Sequence, residues 1–176
     1  MRFGILFASV VSLPFLFVAA APTESETIGG LTTGEIINLL GIGIVQDIDV
    51  TITLESLLDN QVSVNFDAKN PLPFELTIDR VVSSAGLNGT VFATFDHTFS
   101  TLLSTPFVIP PLGTANSGTF NNVTLTQGAM ATLVIIPEGV LDLTNTNVFV
   151  RAGTIQGKLG FPLQIDGLKQ SSVPTT

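Results

Sequence analysis

The chain has 176 residues, 45% of them hydrophobic and only 11% charged, with a formal net charge of −8, one His and no Cys. This apolar content excludes wholesale disorder, and the lack of Cys excludes disulfide staples and removes the usual ligands of zinc and copper. Lys69, Arg80, Arg151, Lys158 and Lys169 are scattered singly, without the clustered excess of positive charge that nucleic acid or an anionic membrane surface requires.

Residues 1–20 read as a secretory signal peptide. Arg2 is the positive start, Ile5 to Phe17 is the apolar run, and Val18-Ala19-Ala20 is the small-residue cleavage site. Pro14 breaks the run, which also falls short of the ~20 residues of a membrane span. Cleavage is therefore expected between Ala20 and Ala21, giving an extracellular product of 156 residues whose charge becomes −9 once Arg2 has left. A chain of that size can bury its own core. No stable membrane anchor is expected, and no apolar tail for a glycolipid follows Lys169.

Residues 21–46 read as a lead-in. Ala21 to Gly34 is small, polar and acidic, hence flexible. Glu35 to Val45 (EIINLLGIGIV) fits a short helix capped by Thr33 or an apolar strand, with Gly41 and Gly43 opposing a long helix.

From Asp47 the period is two. Val50, Ile52 and Leu54 oppose Asp49, Thr51, Thr53 and Glu55. Val62, Val64, Phe66 and Ala68 oppose Gln61, Ser63, Asn65 and Asp67, and Phe74, Leu76 and Ile78 oppose Glu75, Thr77 and Asp79. Further strands are expected over 90–99, 105–109, 118–125, 131–136, 147–155 and 157–165, separated by turn clusters such as NPLP, AGLNG, PPLGTANSG, PEG and DLTNTN. Seven to nine short antiparallel strands with one polar face predict an all-β sandwich or barrel. Phe, nine of the chain's thirteen lying beyond residue 20, suits a dry core because it needs no polar partner. The expected domain spans residues 47–168, with 169–176 as a flexible tail.

No residue cluster amounts to a catalytic or metal site. His97 stands alone, without a Gly-x-Ser-x-Gly elbow, and shares strand parity with Phe95 and Phe99. A structural histidine is the expected role. Asp47 and Asp49 lack the glycine and distal glutamate of a calcium loop. A glycosidase cleft would want Trp or Tyr, and the chain has neither. No cofactor is implied. Two sequons, Asn88-Gly89-Thr90 and Asn122-Val123-Thr124, are N-glycan acceptors in a secreted chain. Asn88 sits in an Asn-Gly hairpin turn.

In VSVNFDAKNPLPFELTIDRV (62–81), Pro71 and Pro73 cannot donate to a ladder, so the strand must end, and Asn70 can close an Asx-turn. With LNGTVFATFDHTF (87–99), FVIPPLGTANSG (107–118) and VRAGTIQGKLGFPLQIDGL (150–168), this Asn-Pro strand resembles the late embryogenesis abundant type 2, or WHy (water stress and hypersensitive response), family. The resemblance is greatest to small secreted fungal members. It implies an immunoglobulin- or fibronectin III-like sandwich, a role in stress protection or defence, and no catalytic residues. Secretion departs from the plant members and argues against a desiccation role. The expected function is a non-enzymatic structural or interaction domain whose partner is a protein, a cell-wall surface or itself. The alternative is a carrier of a small apolar ligand or lipid, suggested by the Phe- and Ile-rich interior.

Overall fold

Val62, Val64, Phe66 and Ala68 are buried while the residues between them face outward, so Gln61–Lys69 is a strand with one dry side. Strands of this kind dominate the computed structural model, which describes residues 27–28, 31–32, 34–35, 38, 43–99, 105–133 and 135–176. The expected signal peptide, its Ala20–Ala21 cleavage site and most of the lead-in lie outside these residues. Gly34, Glu35 and Asn38 are helical.

In chain order the strands are β1 (Thr27–Ile28), β2 (Leu31–Thr32), β3 (Val45–Thr51), β4 (Gln61–Lys69), β5 (Leu76–Leu87), β6 (Thr90–Thr98), β7 (Phe107–Ile109), β8 (Thr114–Asn116), β9 (Phe120–Leu125), β10 (Val140–Ala152) and β11 (Phe161–Pro174). β1 and β2 pair with each other. The other nine form one antiparallel sheet with the path β11-β10-β5-β6-β9-β4-β3, β7 adding to β5 and β8 to β4.

The sheet curls until its two edges meet. Val50 N donates to the Thr176 main-chain oxygen at 2.7 Å, and Thr176 N donates to the Ile48 carbonyl at 3.0 Å, a short parallel join between β3 and the end of β11. The inward residues of all seven path strands therefore share one interior. A second, side-chain tie flanks the join: Gln170 Oε1 accepts from Val45 N at 3.1 Å, and Gln170 Nε2 donates to the Val45 carbonyl.

Several expectations are corrected. Residues 169–176 are not a loose tail. They continue β11 to Pro174, Val173 is fully buried, and Thr176 bonds β3. Residues 131–136 are not a strand: Ala129–Thr132 is a helical turn and Ile136–Glu138 a 3-10 turn. The start of this segment is set by Asn60, whose Oδ1 accepts from Ala129 N at 2.9 Å, and Pro137 cannot donate to a ladder. Short apolar runs carry little period information.

The expected DLTNTN turn lies within β10, where register shifts absorb its irregularity and the buried Thr146 meets Ser83 at 2.6 Å. The break expected between 155 and 157 is a turn at Gln156-Gly157, where Ile155 and Lys158 exchange backbone hydrogen bonds and both central residues have positive φ, but the strands around it end at Ala152 and begin again only at Phe161. Leu54 and Phe74 were expected inward and are exposed, because each lies outside a strand. Thr77 was expected in water and is fully buried, and Asp79 is only half-exposed.

Candidate functional site: an apolar cavity in the curled sheet

The curl leaves the interior incompletely filled. A cavity of about 370 Å³ lies between the inward faces of β3, β4, β5, β10 and β11, lined chiefly by Val, Ile, Leu, Phe and Ala. Ile48, Val64, Ile78, Val150 and Ile165 are typical walls, while Phe92 and Ile135 also line it. The strand residues arrive there by alternation, except Phe92, which sits at the register shift of β6 between Val91 and Ala93, and Ile135 arrives by the helical turn after Gly128. The internal hydroxyls are already engaged: Ser83 pairs with Thr146, and Thr132 Oγ1 donates to the Gly128 carbonyl at 3.0 Å. Away from its rim, such a lining offers a guest a large apolar surface with its hydroxyls already engaged.

A phenylalanine cluster closes the sheet on the β4–β6–β9 side. Phe66 meets Phe107 and Phe120 edge-on, with centroids 5.8 and 6.0 Å apart, near the preferred T-shaped geometry. His97 lies on this cluster, stacked 4.6 Å from Phe120 and edge-on at 4.5 Å to Phe99. Burial lowers its pKa, and the neighbouring Asp96 partly opposes the shift. Asp96 itself forms a two-pronged pair with Arg80, with Nε to Oδ1 at 2.7 Å. Among the described residues no hydroxyl or carboxylate hydrogen-bonds the imidazole, so nothing there prepares it as a general base.

Asn70 is fully buried. Its Oδ1 accepts from Leu72 N at 2.9 Å, the Asx-turn expected from the Asn-Pro pair, while its Nδ2 reaches the carbonyls of Phe74 at 2.7 Å and Pro110 at 3.2 Å. It joins the loop after β4 to the loop after β7 and leaves no polar atom for a ligand.

Asp47 and Asp49 do not converge. Asp47 Oδ1 accepts from Ile48 N and Asp49 Oδ1 from Thr176 Oγ1, and among the described residues no three His, Asp or Glu groups could hold a metal. Glu75 accepts from Gly157 N at 3.0 Å and from Thr154 Oγ1 at 2.8 Å, which lowers its pKa and ties β5 to the β10–β11 hairpin. Arg151 and Asp79 form a bidentate pair at 2.8 Å between neighbouring strands.

Both sequon asparagines are exposed. Asn88 and Gly89 have φ of 49° and 80°, the pair of positive values a two-residue hairpin turn needs. Asn122 lies on the outer face, in a shallow polar groove with Asp96, Asn145 and Asn147. Sequence reasoning missed the cavity rim, where Lys69, Lys169 and Gln170 gather. No local pattern marks residues that only the curl of the sheet brings together.

A second apolar feature is external. Leu72, Phe74, Leu112, Ile155 and Leu159 are exposed on three linked loops, and Phe161 is exposed at the start of β11. Leu112 N donates to the Leu72 carbonyl, and Gly153 N to the Glu75 carbonyl. Among the described residues no helix is long and apolar enough to cross a membrane.

No family model and no curated protein matches the chain. Among solved structures, a protein from Archaeoglobus fulgidus is similar at 10% identity over 73% of this chain and 97% of its own, with a TM-score of 0.30, a likeness too slight to bear on fold or function.

Proposed function

We propose that this protein is a secreted, N-glycosylated, non-enzymatic domain that carries a small apolar ligand in the cavity of its curled sheet. The observation behind this reading is the cavity itself. Protein interiors are close-packed and hold few voids larger than a water molecule, yet about 370 Å³ is left between apolar walls here. Walls without partner atoms lose their dispersion contacts outright, and this chain has no disulfide to offset the loss. A resident apolar guest restores those contacts, and the volume falls in the range of small-molecule sites, ~300–1,000 Å³.

Native mass spectrometry of protein taken from the culture medium tests the idea. A non-covalent adduct of a few hundred daltons, extractable into organic solvent, is the expected result. A bare polypeptide-plus-glycan mass, with no thermal stabilisation by any apolar compound, would overturn it. The same spectra read the cleavage after Ala20 and the glycans on Asn88 and Asn122.

The second reading is the interaction domain of the WHy type, with the curl serving as its immunoglobulin- or fibronectin III-like sandwich. The exposed apolar loops favour it, since isolated surface leucines are ordinary but a joined patch commonly marks a contact surface. Under this reading Leu159→Ser with Phe161→Ser abolishes retention on a cell-wall or protein partner while the cavity stays loaded. Unchanged retention rules out this surface.

A further inference from the structure

Among the described residues, the charged ones on the cavity lining are two lysines, Lys69 and Lys169, with no acid beside them on it. The chain has 14 acidic residues against 6 basic ones, so this selection runs against its composition. Both lysines flank the start of β3. Lys69 N donates to the Ile44 carbonyl at 2.7 Å on one side, while Lys169 lies on the other, next to the Gln170 that clasps Val45. Both are exposed, and among the described residues neither ammonium has an acid partner.

Among the described residues, the join between β3 and β11 changes character at this place. Backbone hydrogen bonds join β3 to β11 around Ile48 and Val50, but toward Val45 side-chain amides bridge the gap. Gln170 spans it to Val45, and Asn38 donates to the Gly167 carbonyl and accepts from Lys169 N, each at 2.9 Å. Side-chain bridges part more readily than a continuous ladder, so this seam is the natural mouth of the cavity. By strand alternation both lysines leave the outer face of the rim. A head group there keeps its water and gains two cations, while the tail behind it is desolvated among Val, Ile and Leu.

We infer that the cavity takes a single-chain amphiphile with an acidic head, a medium-chain fatty acid whose carboxylate sits at Lys69 and Lys169. This rests on the apolar-ligand reading and adds the head group and the direction of binding. An apolar cavity of ~150 Å³ holds one benzene, so 370 Å³ suits a chain of about a dozen carbons.

The test is calorimetric titration of the delipidated secreted protein with dodecanoate and with its uncharged methyl ester. Dodecanoate should bind about tenfold more tightly at low salt, and the gap should narrow as salt screens the lysines. Lys69→Gln with Lys169→Gln should weaken dodecanoate about five- to tenfold and leave the ester within about twofold, the range expected of two exposed charges. Ester binding by the double variant also certifies its fold. Equal affinity for acid and ester, untouched by the substitutions, overturns the head-group assignment and leaves the apolar-ligand reading standing. Saturable binding of neither compound overturns both.

Discussion

The hydroxyls of Thr77 and Thr154 lie 2.8 Å apart in the interior, joining β5 to the segment after β10 across 77 positions of sequence. Thr154 Oγ1 also donates to Glu75 Oε1 at 2.8 Å, so the shared proton between the two threonines must come from Thr77. The two residues are therefore unequal. Thr77→Val removes one donor and should cost about 1 kcal/mol, whereas Thr154→Val strands the buried Thr77 hydroxyl and one acceptor site of Glu75 and should cost about 2–3 kcal/mol. Paired urea melts check the order, and equal losses would show that the relay does not exist in solution.

Asn70 replaces several backbone partners at once. Asn70→Ala removes a fully buried side chain and frees Leu72 N and the carbonyls of Phe74 and Pro110, which lie on exposed residues, and should cost about 1–3 kcal/mol. Asn70→Asp keeps the Asx acceptor but places a charge against carbonyls, and should be no better. Thermal melts of both variants decide it: a stable aspartate variant would mean that the amide donors contribute little.

Phe66 and Asn65 are chain neighbours on opposite sides of β4. Phe66→Ala empties the centre of the ring cluster and should cost ~3–5 kcal/mol. Asn65 is half-exposed and accepts one bond from Asn116 at the surface, so Asn65→Ala should stay within ~0.5 kcal/mol. Comparable losses in urea would contradict the register of β4.

His97 makes stability depend on pH. Burial holds its folded-state pKa below the ordinary 6.5, so below that pH the unfolded chain takes the proton first. Stability falls as pH drops from about 6.5 through the lower folded value, then levels off. His97→Phe should flatten the urea midpoint between about pH 7 and pH 5, a window that lies above the ordinary carboxylate range. A variant as pH-sensitive as the parent would place the effect elsewhere.

The antiparallel β character, the dry side of β4, the Asx-turn at Asn70 and the hairpin turn at Asn88-Gly89 were all legible in the sequence, because each depends on residues within a few positions of one another. Alternation every second residue and the φ preferences of Asn, Gly and Pro are local properties. Where elements meet is not local. Thr77 is internal because Thr154, on the far side of a hairpin, supplies its hydroxyl partner. Ala129–Thr132 turns helical where Asn60 takes its first amide, and the chain beyond β11 stays on the sheet because Ile48 and Val50 bond the backbone of Thr176. The cavity and its pair of lysines belong to the same class. Lys69 and Lys169 are a hundred residues apart and unremarkable in their own strands, and only the curl of the sheet, which leaves β3 between them, gives them a common rim.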